Sequence, residues 1–204
     1  MTSNEFNLEF DIAWNNIMSN QAPGLTLKEK SIFLTQAQEL IVRELYSAFE
    51  HNEEIRRELE CLVEEYTTES INDDNKIPIS SLGNELWYII YETAKIKPYS
   101  TDICKDVEKE VIVKPVTHDV LWEVKRNPFK GPNGNRVLRL LDGGYIELIG
   151  EKIISYTVRY IRKPNDIDIE HTSNNPCELP EMLHRRIIDT AVNISRQTWL
   201  TQKK

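Results

Sequence analysis

The stretch that most constrains the fold runs from Ile153 to Leu200, where a β-like run passes into a long amphipathic helix. Alternate residues of the run share one face, as expected for a strand: Ile154, Tyr156, Val158 and Tyr160. Lys163-Pro164 ends the strand, because proline has no N–H to give to a sheet. Apolar residues then recur at helical spacing: Leu183, Ile187, Ile188, Ala191, Val192, Ile194 and Trp199. The stretch therefore ends a β region and returns the chain to a helical one.

The start of the chain is helical as well. Helices are predicted over 4–19, from the capping box Thr26-Leu27-Lys28-Glu29 to Phe49, and from about Glu53 to Tyr66. The first carries Phe6, Phe10, Ala13, Trp14 and Ile17 on one face. The second carries a broad stripe of Ile32, Phe33, Ala37, Leu40, Ile41, Leu45, Ala48 and Phe49. Because both ends are helical, we expect them to pack together.

The middle of the chain has a β texture. A polar connector over 67–78 is followed by predicted strands at Glu85–Lys95, Val107–Pro115, Arg136–Leu141, Tyr145–Ile149 and 153–162, with a short helix at 117–125 whose buried side is Val120, Leu121 and Val124. The predicted fold class is α+β. A helical bundle forms from an N-terminal part (1–70) and a C-terminal helix (178–204), with an antiparallel β domain (71–177) inserted between them.

Composition and charge narrow the class of protein. Of the 204 residues, 40% are apolar and 28% are charged, as in a soluble globular protein, and neither a membrane span nor a signal peptide is expected. The three cysteines predict reduced thiols in a cytosolic product. Residues 1–70 hold 14 acidic and 5 basic side chains, a net charge of -9, whereas residues 123–163 hold 4 and 9, a net charge of +5. This asymmetry suits head-to-tail contact between copies, although solvated surface is the simpler interpretation.

Motifs for catalysis or cofactor binding are weak. Gly131-Pro132-Asn133-Gly134 lacks an amide that a phosphate loop would use. His171, Cys177 and His184 match no common zinc spacing; Cys177 is instead expected as a buried residue and His184 on a helix surface. The adjacent carboxylates Glu53-Glu54, Glu64-Glu65 and Asp73-Asp74 point apart on a helix and predict solvated surface. The sequence therefore predicts no enzyme, no cofactor and no metal.

A basic set in the β region is the candidate interaction site. On an antiparallel sheet these side chains could gather on one face and meet phosphates or an acidic protein surface. No recognition helix or stacking platform accompanies them, so an acidic partner is favoured, such as the helical half of a neighbouring copy. The set consists of Lys125, Arg126, Lys130, Arg136, Arg139, Arg159, Arg162 and Lys163.

Several phrases, in order along the chain, resemble a family of phage structural proteins. They are 10–17 with 21–25 and 31–38, Asn127-Pro128-Phe129-Lys130-Gly131-Pro132, Arg136-Val137-Leu138-Arg139-Leu140, 156–164, and Cys177-Glu178-Leu179-Pro180-Glu181-Met182-Leu183-His184. The family is the head–tail connector (adaptor) ring proteins of crAss-like and other short-tailed phages, with a more distant likeness to tail-tubular gatekeeper proteins. The resemblance covers about Asn7 to Leu200.

This resemblance implies a virion protein made in the host cytoplasm, with a helical bundle and an inserted β domain. It implies a ring of about twelve copies beneath the portal protein, next to other tail or ring proteins. Genomic DNA would pass through the lumen without sequence-specific binding, and acidic helices there would let the duplex slide. Only four residues follow Leu200, so we expect the closing helix rather than an extended terminus to contact the portal.

Two other functions remain open from the sequence. One is a regulator or assembly chaperone outside the virion that binds proteins through the acidic helices. The other is an enzyme or metal protein centred on Cys177 and His184.

Overall fold

The computed structural model describes most of the chain: residues 1–17, 24–49, 52–69, 71, 74–83, 86–97, 108–150, 152–171 and 173–202. These residues form two compact units, unit 1 (1–62 and 164–204) and unit 2 (63–163). The three-part division at 70 and 177 stays a prediction. The helices are α1 (Ser3–Ile17), α2 (Leu27–Ser47), α3 (Glu53–Leu59), α4 (Leu121–Arg126) and α5 (Glu181–Gln202). The strands are β1 (Val63–Thr68), β2 (Lys76–Pro78), β3 (Leu86–Ile96), β4 (Lys109–Pro115), β5 (Arg136–Asp142), β6 (Tyr145–Ile149) and β7 (Ile153–Arg162).

Unit 1 joins the two ends of the chain through α5, which packs against both α1 and α2. The apolar face of α1 is fully covered at Phe6 and Phe10, and the phenyl ring of Phe6 packs on the imidazole of His184 at 5.0 Å between centroids. On α5, Ile187 and Ala191 have no exposed surface. The helical part of the predicted fold class is confirmed.

The capping box that starts α2 is present: Thr26 Oγ1 accepts from the Glu29 N–H, and the Glu29 carboxylate accepts from the Thr26 N–H. The predicted apolar stripe of α2 is wrong in part. Ile32 and Leu40 are exposed, because the buried side of the helix is rotated toward Leu34, Ala37, Gln38, Ile41, Val42 and Leu45.

The connection before α5 lies on α2. The N–H groups of Ile167 and Ile169 donate to Thr35 Oγ1 and Ser31 Oγ at 3.0 and 3.1 Å, and both isoleucines are buried. The sequence predicts a polar loop here. The connection is instead an ordered extended segment. Its two isoleucines, two positions apart, are buried, and their N–H groups are satisfied by hydroxyls of α2.

Unit 2 is one mixed sheet of seven strands in the order β1-β7-β3-β4-β5-β6-β2. The α+β fold class is confirmed. The expectation of a wholly antiparallel sheet is wrong at one pair, because β4 and β5 run parallel. Parallel neighbours need a long crossover connection, and residues 116–135 provide it. The predicted third helix is also too long: α3 ends at Leu59, and Val63–Thr68 pairs with β7 as an edge strand.

The core of unit 2 comes from one face of this sheet. Its members lie on six of the strands and in the turn after β2: Ile77, Leu82, Ala94, Ile96, Val111, Val113, Val137, Ile146, Leu148, Ile153, Tyr156, Val158 and Tyr160. The pairing of β3 with β7 shifts register at three places. Such irregularities bend a strand, which lets one face of a sheet surround a common core. The alternation predicted for β7 is confirmed at Tyr156, Val158 and Tyr160.

Candidate interaction surfaces

The crossover between β4 and β5 contains α4 and the turn that follows it, residues 121–131, which we call the aromatic–basic segment. Helix α4 ends at Arg126 because Pro128 follows Asn127 and holds it in extended backbone. The Asn127 side-chain oxygen then accepts from the N–H groups of Phe129 and Lys130 at 2.9 and 3.2 Å. The Gly131 N–H donates to the Asn127 carbonyl at 2.7 Å. The turn is therefore fixed by its own backbone hydrogen bonds.

Glycine is needed at position 131. A Cβ there would lie 2.8 Å from the Asn127 carbonyl oxygen and 3.2 Å from two carbonyls of α4. The Arg136 guanidinium further donates to the Phe129 carbonyl at 2.7 Å and ties the turn to the start of β5. This geometry holds the Phe129 side chain outward.

The segment displays aromatic and basic side chains together. Phe129 is 84% exposed and Trp122 is 71% exposed, and the Arg126 guanidinium lies 5.3 Å from the Trp122 ring centroid. Lys125 and Lys130 are exposed, and within the described part of the chain neither has an ion-pair partner. The sequence predicted a buried side for this helix at Val120, Leu121 and Val124, but none of the three is fully buried. Three exposed basic residues, Lys125, Arg126 and Lys130, thus lie on the same segment as two solvent-facing rings.

The basic residues on β7 are paired along the sheet instead. Arg159 bonds Glu65 on the neighbouring strand β1, and Arg162 Nε lies 3.0 Å from Glu64 Oε1. The hydroxyl of Tyr160 also lies 3.0 Å from Glu64, and its pKa is raised to about 12 by burial and by this carboxylate. Lys163 follows directly in the chain, and its carbonyl accepts from Arg162.

Arg139 lies in the interior of unit 2. Its Nε is 3.1 Å from Glu92 Oε1, and both side chains are almost fully covered. The N–H is not directed at that oxygen, so within the described residues we treat the contact as an ion pair rather than a hydrogen bond. The eight basic residues that the sequence groups as one set are therefore held in different ways. Lys125, Arg126 and Lys130 are exposed, Arg159 and Arg162 pair with β1, and Arg139 forms an interior ion pair. Arg136 bonds the turn before β5, and Lys163 directly follows β7.

A cleft lies in unit 1 between α1 and α5, and we call it the α1–α5 cleft. It holds about 340 Å³ and is lined by Glu9, Ile12, Ala13, Asn16, Arg185, Ile188 and Asp189. Ile12 is exposed in this lining, and Leu8 is exposed one turn before it, off the Phe6–Phe10–Trp14 face of α1. Met182 is exposed one turn before Arg185 on α5. This surface combines carboxylates with uncovered aliphatic side chains.

Each residue considered for a metal makes a hydrogen bond with another part of the protein. Cys177 is buried, its thiol donates to Gln38 Oε1 at 3.3 Å, and burial raises its pKa to about 11. His184 is buried too, against the expectation of a helix-surface position. Its Nε2 lies 2.9 Å from the Leu179 carbonyl, and burial lowers its pKa. His171 is exposed, and its hydrogen bond with Asp168 raises the histidine pKa. Each of the three has a local structural partner.

The whole chain, residues 1–204, matches the family model described as Phage tail ring protein 3/4. It belongs to this family. The chain is 34% identical to Ring protein 3 of Bacteroides phage crAss001 over 234 aligned positions that span all of both chains. It is 27% identical to Ring protein 4/5 of the same phage, covering 98% of this chain and 94% of the relative. The resemblance to crAss-like ring proteins is confirmed.

Membership of the phage tail ring protein 3/4 family makes this chain a structural ring component of a phage virion. No helix in the described ranges is long and apolar enough to cross a membrane. The sequence pattern did not predict the exposed Trp122 or the α1–α5 cleft. Two signals of exposure were present in the sequence. Leu121 and Val124 share one face of α4, so Trp122 points away from that face, and Leu8 and Ile12 lie off the buried face of α1.

Proposed function

We propose that this protein is the subunit of a head–tail connector ring that docks on the portal or an adjacent ring and surrounds the DNA channel. The observation that carries the proposal is the family match over the full length of the chain. A cyclic ring of about twelve copies would enclose a lumen through which genomic DNA passes without sequence-specific binding. The closing helix α5 would supply contacts to the portal.

The charge distribution supports this role. The net charge of -9 over residues 1–70 would repel the phosphates of a duplex in the lumen, so the DNA slides without adhering. The basic set would contact an acidic protein surface on a neighbouring copy or on the next tail component. Within that set, Lys125, Arg126 and Lys130 are the best placed, since all three are exposed on the aromatic–basic segment.

A second function is favoured by one observation. Leu8 and Ile12 are exposed beside Glu9 on α1, and uncovered aliphatic groups among carboxylates suit transient binding of a client protein. A regulator or assembly chaperone that acts through the acidic helices and leaves the finished particle would use such a surface.

Quantitative mass spectrometry of purified, DNA-filled particles separates the two functions, with the portal protein as internal standard. A connector ring with the portal's copy number gives a ratio near one copy per portal subunit. Absence from particles, together with presence in infected cells, would contradict the connector and support the chaperone. A ratio far above one would contradict both and indicate a capsid or cargo protein.

A further inference from the structure

We propose that the aromatic–basic segment of one copy docks in the α1–α5 cleft of the next copy around the ring. This inference rests on the proposed ring, and it assigns the two surfaces that hold neighbouring copies together. The segment belongs to unit 2 and the cleft to unit 1, so every copy carries one of each.

Ring closure requires two different surfaces. Copies related by a rotation other than a two-fold meet head to tail, so a patch on one copy contacts a non-identical patch on its neighbour. Each copy must therefore present a surface and its complement. The aromatic–basic segment and the α1–α5 cleft satisfy this requirement in both polarity and charge.

The apolar parts are complementary. Trp122 on α4 and Phe129 on the following turn expose their rings, whereas Ile12, Ala13 and Ile188 line a cleft. A cleft of about 340 Å³ is large enough to receive an aromatic ring. Aromatic side chains that fill a pocket commonly dominate the energy of an interface, and they are surrounded by a polar rim.

The charged parts match as well. Lys125, Arg126 and Lys130 are exposed on the same segment as the two rings, and the Arg126 guanidinium lies over the Trp122 ring. Glu9 and Asp189 lie in the lining of the cleft, and Glu5 precedes Glu9 by one turn of α1. Arg185 is also part of the lining and has the unfavourable sign, but the two carboxylates outnumber it. Attraction between the two surfaces would set the register between neighbouring copies.

Preorganisation favours the segment as the inserted element. Its turn is fixed by the Asn127 hydrogen bonds, by the close approach at Gly131 and by Arg136. A loop already held in its bound shape loses little conformational entropy on docking. Most of the free energy gained by burying the two rings is therefore available for association.

The test uses phage particles grown with the full-length chain supplied in trans while the phage copy of the gene is inactive. Copies per portal subunit are measured by mass spectrometry. We expect Trp122→Ala with Phe129→Ala to lower the occupancy about tenfold. Tyr145→Ala is the matched control, since Tyr145 is an exposed aromatic of the same unit outside the segment, and it should keep full occupancy. Circular dichroism of each purified variant checks that it folds.

A charge exchange identifies the occupant of the cleft. The variant R126E/K130E and the variant E9K/D189K should each fail alone. When the two are co-expressed, they can alternate around an even-numbered ring. Every contact is then either a native pair or a reversed pair of opposite charges. Occupancy should return to within about twofold of the wild type.

Three results would count against the proposal. Variants that occupy particles as fully as Tyr145→Ala would show that the segment does not hold the ring. Loss in both charge variants without recovery in the mixture would show that the segment of a neighbouring copy does not occupy the cleft. A wild-type chain that is absent from particles would instead contradict the proposed ring itself, which distinguishes the two failures.

Discussion

Glu92, Arg139 and Tyr156 form a polar cluster inside unit 2, on three different strands. The Tyr156 hydroxyl donates to Glu92 Oε1, and Arg139 lies beside the same carboxylate. Burial raises the pKa of Glu92, while Arg139 and the Tyr156 hydrogen bond oppose that rise. The pKa of Tyr156 is raised by its burial and by the carboxylate. The cluster therefore depends on all three partners being present.

Removing Arg139 should be costly. Arg139→Met leaves a buried carboxylate without its cation, and the free energy of unfolding at about pH 8 should fall by roughly 3–5 kcal/mol. Urea denaturation of the full chain measures the change. Arg159→Met is the matched control, because Arg159 pairs with Glu65 at an exposed position, and its loss should cost less than about 1 kcal/mol.

The cost should depend on pH with a definite sign. The pKa of Glu92 in the folded state lies above 4.5, so the folded protein binds this proton more tightly than the unfolded chain does. The contribution of Glu92 to stability therefore falls as the pH rises from about 4.5 to the folded-state pKa. Without Arg139 the pKa of Glu92 rises further, and this pH range becomes wider. The deficit of Arg139→Met should therefore be large at about pH 8 and smaller at about pH 5. Equal deficits would mean that lost packing, not an unpaired charge, explains the effect.

For a single residue, the sequence shows the sign of the charge but not which side chain pairs with it. Arg139 joins the predicted basic set because it lies in a basic stretch, whereas Glu92 is 47 positions earlier on β3. Nothing in the local sequence distinguishes Arg139 from Lys130, whose side chain is exposed on a turn. Strand order decides which of them is covered, and strand order is a property of the whole sheet.

Among the elements, α5 is the one whose burial the sequence predicts best. Its periodic apolar residues run from Leu183 to Trp199 in a helix of 22 residues, and that length distinguishes a helix from a strand. The stretch from Leu59 to Thr68 is ambiguous. Leu59, Leu62 and Tyr66 fit a helical period, yet Val63–Thr68 is rich in strand-forming residues. Pairing with β7 decides in favour of a strand, and that pairing is invisible in a local window.

A charge placed in the buried face of α5 should destabilise unit 1. Ile187→Asp or Ala191→Asp puts a carboxylate at a position with no exposed surface, and should lower the free energy of unfolding by several kcal/mol, roughly 3 or more. Thermal and urea unfolding measure it. Asn193→Asp introduces the same charge at an exposed position of the helix and should change stability by less than about 0.5 kcal/mol. Unchanged melting of Ile187→Asp would contradict the packing of α5 against α1 and α2.

The aromatic–basic segment shows where element-level prediction of a site fails. Its turn residues, Asn127-Pro128 and Gly131, predict a loop correctly. The crossover that places the loop follows from the parallel pairing of β4 with β5, which short β-like runs do not reveal. Strands joined by a hairpin and strands joined by a crossover show the same local alternation of apolar and polar residues. Only the identity of the paired strands distinguishes the two connections.

On the scale of the whole molecule, the two ends of unit 2 lie side by side. Val63 pairs with Ile161 across β1 and β7, so the chain enters and leaves the unit at neighbouring positions. Closely spaced ends are typical of a domain inserted into another. The core of unit 2 is also drawn from its own strands. We therefore propose that 63–163 is the inserted domain, with the sequence-derived bounds of 71–177 as the competing hypothesis.

The two sets of bounds predict different behaviour of excised fragments. Residues 63–163 keep β1 on the edge of the sheet and should unfold cooperatively in urea. Residues 71–177 lose the six residues of β1 and retain Ile167 and Ile169, which are buried on α2 in the intact chain. We expect this fragment to be less stable by roughly 2 kcal/mol or more, since losing an edge strand uncovers one side of β7. In the complementary chain, a short Gly-Ser linker from Leu62 to Pro164 should give a folded helical unit. If 71–177 proved the more stable fragment, the inserted domain would have the bounds that the sequence pattern predicts.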